Sequence, residues 1–169
     1  FRHEHFFDKI LQIILYFKEE IKQTYSNEEI FNLFKSQRRI LHLLSIHKIL
    51  TFDENILNLI QTKDRFNSLR YIEFFYPEIK QFLSEEYSKE VESNLLKMNE
   101  SIFEYFEENR TIGENESYLC TLIRHDQVVE FISYVNRINF PLSSKIKPSI
   151  FETNNFLIKH RPTLIQYAA

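Results

Sequence analysis

The chain has 169 residues, 43% of them apolar, enough to bury a core in one domain or two small ones without disulfide staples. Lys and Arg nearly balance Asp and Glu, leaving a formal charge of −3 and a sequence pI near 6.1, so no single-sign field is built for a phosphate backbone and nucleic acid is not the default partner. A single cysteine, Cys120, cannot close an internal disulfide and fits a reducing compartment, which makes the cytoplasm, or the nucleus, the expected location.

The first segment, Phe6-Phe7 through Ile10-Leu11, Ile13-Ile14, Phe17 and Ile21, repeats apolar residues at three- and four-residue steps and predicts one long amphipathic helix. Its longest apolar run, Ile10 to Phe17, falls far short of the ~20 residues that span a bilayer, so no membrane span is expected. The opening Phe1-Arg2-His3-Glu4-His5 has no initiator Met and no small-residue cleavage site, as expected of a piece of a longer chain. Ser26-Asn27-Glu28-Glu29 has the form of a capping box and starts a second helix through Ile30, Phe31, Leu33 and Phe34. Ile40 to Ile46 reads as a third helix, and Thr51-Phe52-Asp53-Glu54 repeats the capping pattern ahead of Ile56, Leu57, Leu59 and Ile60.

A helix from Leu69 to Phe75 should stop at Tyr76, because Pro77 disfavours helical geometry in the residue before it, and Pro77 suits the first turn of the short helix that follows. Between Ser84 and Arg110 spacing leaves open whether there is one helix or two. Gly113, the only glycine, is placed at a helix stop where left-handed geometry needs no side chain, and at the boundary between an N-terminal helical region, 1–112, and a second segment, 113–169. Tyr118 to Ile123 and Val128 to Val135 predict a helix-turn-helix hairpin around Arg124-His125-Asp126-Gln127, with Leu119, Leu122, Val128, Phe131 and Ile132 as its core face. From Asn139 to Pro162 the helical period is lost, and a long packed loop is expected with short strand character at Phe156-Leu157-Ile158. Pro162 and Thr163 then introduce a closing helix. Nothing requires a sheet: the expected fold is all-α, stacked antiparallel helix pairs of the α-solenoid kind.

Residues that could carry chemistry have simpler readings. His3 and His5 are two apart at a terminus, and His42 and His47 have no carboxylate at a spacing that completes a three-ligand set, so surface or boundary histidines are expected and no metal. Cys120 follows the core position Leu119 and reads as a buried inert thiol rather than the partner of His125. The pairs Glu19-Glu20, Glu28-Glu29, Glu85-Glu86 and Glu107-Glu108 flank helix ends or polar faces, and one glycine is too few for a nucleotide cradle. No enzyme activity and no cofactor are therefore expected. Asn99, Asn109 and Asn115 begin Asn-x-Ser/Thr triplets, which a chain rich in these residues produces by chance. The best anion-binding candidate is a basic cluster, Lys35, Arg38, Arg39 and Lys48, for which a solvated helix start or partner-docking patch is the favoured reading.

The chain uses alanine only at Ala168 and Ala169, within Thr163-Leu164-Ile165-Gln166-Tyr167-Ala168-Ala169. This stretch resembles the T-P-L-H-x-A-A opening of an ankyrin repeat, with Leu164 and Gln166 in place of Pro and His. Paired small residues let a neighbouring helix approach closely, so a following helix is expected against them. The Tyr118 to Ile132 hairpin resembles a degenerate repeat with Asp126 at the usual glycine. The stretch from Ile112 to Ile165, and more loosely the segments Ile21 to Asn27 and Tyr76 to Lys80, resembles the region leading into the repeats of protist ankyrin-repeat proteins. The resemblance implies a non-catalytic protein-protein interaction scaffold whose N-terminal part packs against downstream repeats of the same chain, with no catalytic residues to carry over. A purely structural cap of the repeat array with no partner of its own, or a weak anion- or nucleic-acid-binding helical module over residues 35–48, are the alternatives. Leu119 to Ile165 exceeds the ~33 residues of an ordinary ankyrin repeat, which marks residues 139–162 as an insertion or a different module.

Overall fold

The structure, a computed structural model, describes residues 2–62 and 65–168, and their side chains except at 2–8, 65–67 and 155. The described residues form helices and turns without a strand; one isolated antiparallel bridge joins Lys145 to Thr163. Among them no helix is long and apolar enough to cross a membrane. The chain divides into two compact units, residues 1–105 and 106–169. Gly113 lies inside the second unit, and the helix before it belongs there too.

The first unit begins with α1 (Arg2–Tyr16) and α2 (Lys18–Thr24), where the periodicity predicts one helix. Phe17, at φ −95° and ψ 22°, separates them. Phe17 N still bonds Ile13 O at 3.1 Å and Ile21 N bonds Phe17 O at 2.9 Å, and the apolar spacing in the sequence gives no sign of the break between them. The predicted capping box opens α3 (Asn27–Phe34): Ser26 Oγ accepts from Glu29 N at 3.3 Å, and Ser26 N donates to Glu29 Oε2 at 2.8 Å. The Ser26 N–H, and the Ser26 hydroxyl that donates to the same Oε2 at 2.9 Å, hold the exposed Glu29 carboxyl below its usual range.

Next come α4 (Arg38–Ile46) and α5 (Glu54–Gln61). Asp53 caps α5, its Oδ1 accepting from Ile56 N at 2.9 Å, while the Thr51 N–H is taken by Asn27 Oδ1 at 3.1 Å, which ties the loop back to α3. α6 (Arg65–Phe74) hands over at Phe75 to the single-turn α7 (Tyr76–Ile79), with Pro77 in its first turn, and a 3-10 turn (Lys80–Phe82) precedes α8 (Glu85–Met98). α3 packs on α4 and α5, α5 on α6, and α6 on α8. Phe31, Leu41, Leu44, Ile56, Ile60, Ile72, Phe74 and Phe75 are buried between them. Phe75 stands at the centre, its ring 4.6 Å from Phe52 and 4.9 Å from Phe74 between centroids.

The segment between Ser84 and Arg110 contains two helices. Asn99, extended at φ −159°, ends α8, and its Oδ1 accepts from Ser101 N at 3.0 Å, the local side-chain bond by which asparagine competes with helix. The second unit consists of α9 (Phe106–Ile112), α10 (Tyr118–Arg124), α11 (Val128–Ile138), α12 (Asn155–His160) and α13 (Leu164–Ala168). α10 packs against both α11 and α13, around a core of Leu119, Val135 and Leu164. The expected strand character at Phe156-Leu157-Ile158 is wrong: these residues lie in α12, because Asn154 Oδ1 caps it from Phe156 N at 2.9 Å. Asp126, in the α10–α11 turn, has φ 54°, a left-handed geometry that aspartate tolerates better than most residues and glycine best of all.

Candidate functional site

Gly113 follows α9 with φ 71°, where a Cβ would meet the backbone, and its N–H bonds Asn109 O at 2.9 Å. The predicted helix stop is therefore present. Its buried carbonyl accepts twice from Thr153, from the backbone N–H at 3.0 Å and from Oγ1 at 2.7 Å. Two residues on, the buried Asn115 donates from Nδ2 to Lys147 O at 2.9 Å and accepts from Ser117 N at 3.0 Å. Ser149 Oγ donates to the Glu116 carboxylate and accepts from Phe151 N at 3.0 Å. Three side chains thus fasten residues 147–153 onto residues 113–116, and Ile150 and Phe151 are buried beneath them. The loop expected between Asn139 and Pro162 is packed down by this polar clasp.

Arg124, at the end of α10, holds the clasp from below. Its Nη1 donates to Asn115 O at 2.5 Å and its Nε meets Glu114 Oε2 at 2.7 Å. Glu152 is buried, with Oε1 accepting from Asn154 N at 2.8 Å, and burial raises its carboxyl above the ordinary range. Burial also pushes Tyr167 up to about 12, and it raises the Cys120 thiol. Cys120 is fully buried and therefore held as a thiol, a weak nucleophile, while His125 stands exposed at the C-cap of α10.

The hairpin face differs from the expectation in part. Leu119 and Leu122 are buried and Phe131 is partly buried, but Val128 and Ile132 are 55% and 53% exposed. The inward row of α11 is Phe131, Tyr134 and Val135, and the valine and isoleucine assigned to the core stand on the adjoining row with Val129, which is 73% exposed. An apolar helix with residues at nearly every position leaves the inward direction undecided. Ala168 is exposed on α13, and Ala169 lies outside the described residues.

The basic cluster does not assemble. Arg38 is 5% exposed, with its guanidinium 5.1 Å from the Phe74 ring centroid and 5.9 Å from Tyr71. Lys35 and Lys48 are exposed but lie beyond opposite ends of the nine-residue α4, ~13 Å of helix apart, and Arg39 is half-buried. His42, expected at a surface or boundary, is fully buried, its Nδ1 3.6 Å from Glu78 Oε1. The apolar ring of α4 and α6 takes both polar residues inward because each has an acid or an aromatic face to meet. Beside them Glu73 is buried and raised by that burial, with Arg70 and Arg38 acting against it. His47 is half-buried, and the side chains of His3 and His5 lie outside the described residues. No group of three His, Cys, Asp or Glu side chains among the described residues could hold a metal ion.

Comparison with protein-family models, curated proteins and solved structures finds no match.

One local feature was legible in the sequence but not expected. Thr163-Leu164-Ile165-Gln166 has the Thr-x-x-Gln form of a capping box, and it closes as one: Thr163 N donates to Gln166 Oε1 at 2.9 Å and Gln166 N donates to Thr163 Oγ1 at 3.3 Å. With Ile146 N bonded to Pro162 O at 3.0 Å, this fixes the entry of α13 against α10.

Proposed function

We propose that the chain is a non-catalytic, all-helical protein-protein interaction module, the N-terminal part of an ankyrin-type scaffold working in the cytoplasm or nucleus. The observation that carries this reading is the exposed apolar row Val128, Val129 and Ile132 on α11, a helix whose other side is spent on its own hairpin. Monomeric surfaces scatter single apolar side chains, whereas a contiguous row on one helix suits a partner helix. The placing of α13 against α10 supports stacking: α10 packs on both α11 and α13, and Ile165 and Ala168 stay exposed on α13. Downstream repeats of the same chain would take that side, and a separate protein would take α11.

The test is affinity capture on the immobilised chain beside its Val128→Asp/Ile132→Asp variant, with circular dichroism confirming equal helix content. Proteins retained by the first and depleted about tenfold on the second support the reading. The same set retained equally by both would contradict it.

A further inference from the structure

The total charge of −3 conceals a local bias of the opposite sign. Residues 139–162 hold four Lys and Arg side chains, Lys145, Lys147, Lys159 and Arg161, with His160 beside them, against a single acid, Glu152, which is buried. All five basic side chains are exposed, and among the described residues none of the four cations meets a carboxylate. The fold gathers them. Lys145 forms the bridge to Thr163, with Ile146 N on Pro162 O at 3.0 Å and Leu164 N on Ser144 O at 3.3 Å, so the two stretches run side by side and every one of these basic residues lies within four positions of the bridge. Ile146 packs onto the core of Leu119, Val135 and Leu164, which leaves Lys145 and Lys147 on the outward side of their stretch.

An aromatic platform stands among the cations. Phe156 is 64% exposed and lies over His160, one turn on along α12, with ring centroids 4.4 Å apart and planes inclined at 40°. Among the described residues from 143 to 164 it is the only large apolar side chain that is exposed. α12 ends at Arg161, whose φ of 45° is left-handed backbone that glycine adopts without strain and arginine does not. That turn carries the chain from the aromatic pair into the bridge.

We propose that this patch binds single-stranded nucleic acid, with the four cations on phosphates and the Phe156–His160 pair stacked on a base. Exposed cations with no acid among them attract any polyanion, in proportion to the counterions they release. The aromatic pair decides which polyanion, because bases in a duplex are already stacked on one another while a single strand offers its ring faces. A membrane surface would need several apolar side chains inserted among the cations, and here there is one. An acidic peptide supplies the charge but no ring face. The patch uses none of the exposed row on α11.

The experiment is fluorescence anisotropy of a labelled oligouridylate of about ten nucleotides, and of an oligothymidylate of the same length, titrated with the full chain. Saturable binding to either strand is expected, falling with salt at a log–log slope of about −3, as four phosphate contacts on a single strand require. Phe156→Ala should weaken it about tenfold, while Phe156→Tyr, which keeps a ring, should stay within about twofold. Lys145→Glu and Lys147→Glu together should weaken it about tenfold. Arg161→Gly separates fold from binding: it relaxes the left-handed backbone, so the melting temperature should rise while affinity falls about fivefold. A chain that binds neither strand at low salt overturns the proposal, as does Phe156→Ala or Arg161→Gly binding like the original. So does a duplex of the same length bound as tightly as the single strand. Polyglutamate bound as tightly would give the patch to an acidic protein, and vesicles of about one third phosphatidylserine that bind the chain when the oligonucleotides do not would give it to a membrane.

Discussion

Thr153 donates two hydrogen bonds, at 3.0 and 2.7 Å, to the single carbonyl of Gly113, forty residues earlier in the chain. The pairing depends on Gly113 at φ 71°, because that geometry turns its carbonyl toward the loop. Gly113→Ala should therefore destabilise the second unit by about 1–2 kcal/mol, the cost of placing a Cβ in left-handed backbone. Thr153→Val, which removes the hydroxyl bond and keeps the backbone one, should cost about 1 kcal/mol. Chemical denaturation followed by circular dichroism checks both, and equal stability of either variant would mean the loop is held elsewhere.

Lys48 also has left-handed backbone, at φ 56°, without being glycine. It stands just past α4, where its N–H bonds Ser45 O at 2.9 Å and the next N–H reaches Leu44 O at 2.9 Å, a helix ending that suits glycine. Lys48→Gly should raise stability by about 1 kcal/mol, read as a higher melting temperature. A loss of stability would show that the lysine side chain holds the turn.

Glu152 gives the molecule a pH dependence with a definite sign. Burial raises its folded-state pKa, so the folded protein holds this proton more tightly than the unfolded chain does. Its contribution to stability is fully present below the unfolded pKa and is lost as pH rises through the folded value. Glu152→Gln keeps an oxygen for the Asn154 N–H and removes the ionisation. The variant should have the higher denaturant midpoint at neutral pH, with the gap closing as pH falls toward the ordinary carboxylate range. A gap that is constant with pH would mean that ionisation of Glu152 is not its source.

Arg38 separates a core role from an anion-binding one. With its guanidinium over the Phe74 ring and 5% exposed, Arg38→Ala should destabilise the first unit by roughly 3 kcal/mol. Lys35→Ala, at an exposed position, should change stability by less than about 0.5 kcal/mol. Matching thermal unfolding of the two variants would return Arg38 to the surface.

Local signals were the most legible part of this fold. The Ser26 capping box, the Pro77 helix start and the Gly113 stop each rest on side chains and backbone within four residues, and each formed as its residues dictate. The all-helical class followed from apolar spacing in the same way. What spacing could not give was direction. On α11 the rows Val128–Ile132 and Phe131–Val135 are equally apolar, and only packing against α10 decides which turns inward. Polar burial was equally hidden: Arg38 and His42 read as a basic surface because their partners, Phe74 and Glu78, are more than thirty residues away in sequence. α12 went unseen because its cap, Asn154, sits inside a stretch where proline and serine obscure the period. The ankyrin-like reading of the closing segment stays a proposal, resting on Thr163, Ile165, Ala168 and Ala169 as they stand in the sequence.

Val129, 73% exposed in the middle of the outward row of α11, gives the most direct test of the interaction reading. A photoreactive benzophenone side chain placed there, in the protein expressed in cells, should cross-link to a discrete protein at high yield on illumination. The same group at Lys89, exposed on α8, should not. Equal or absent cross-linking at both positions would contradict a role for this face in binding another protein.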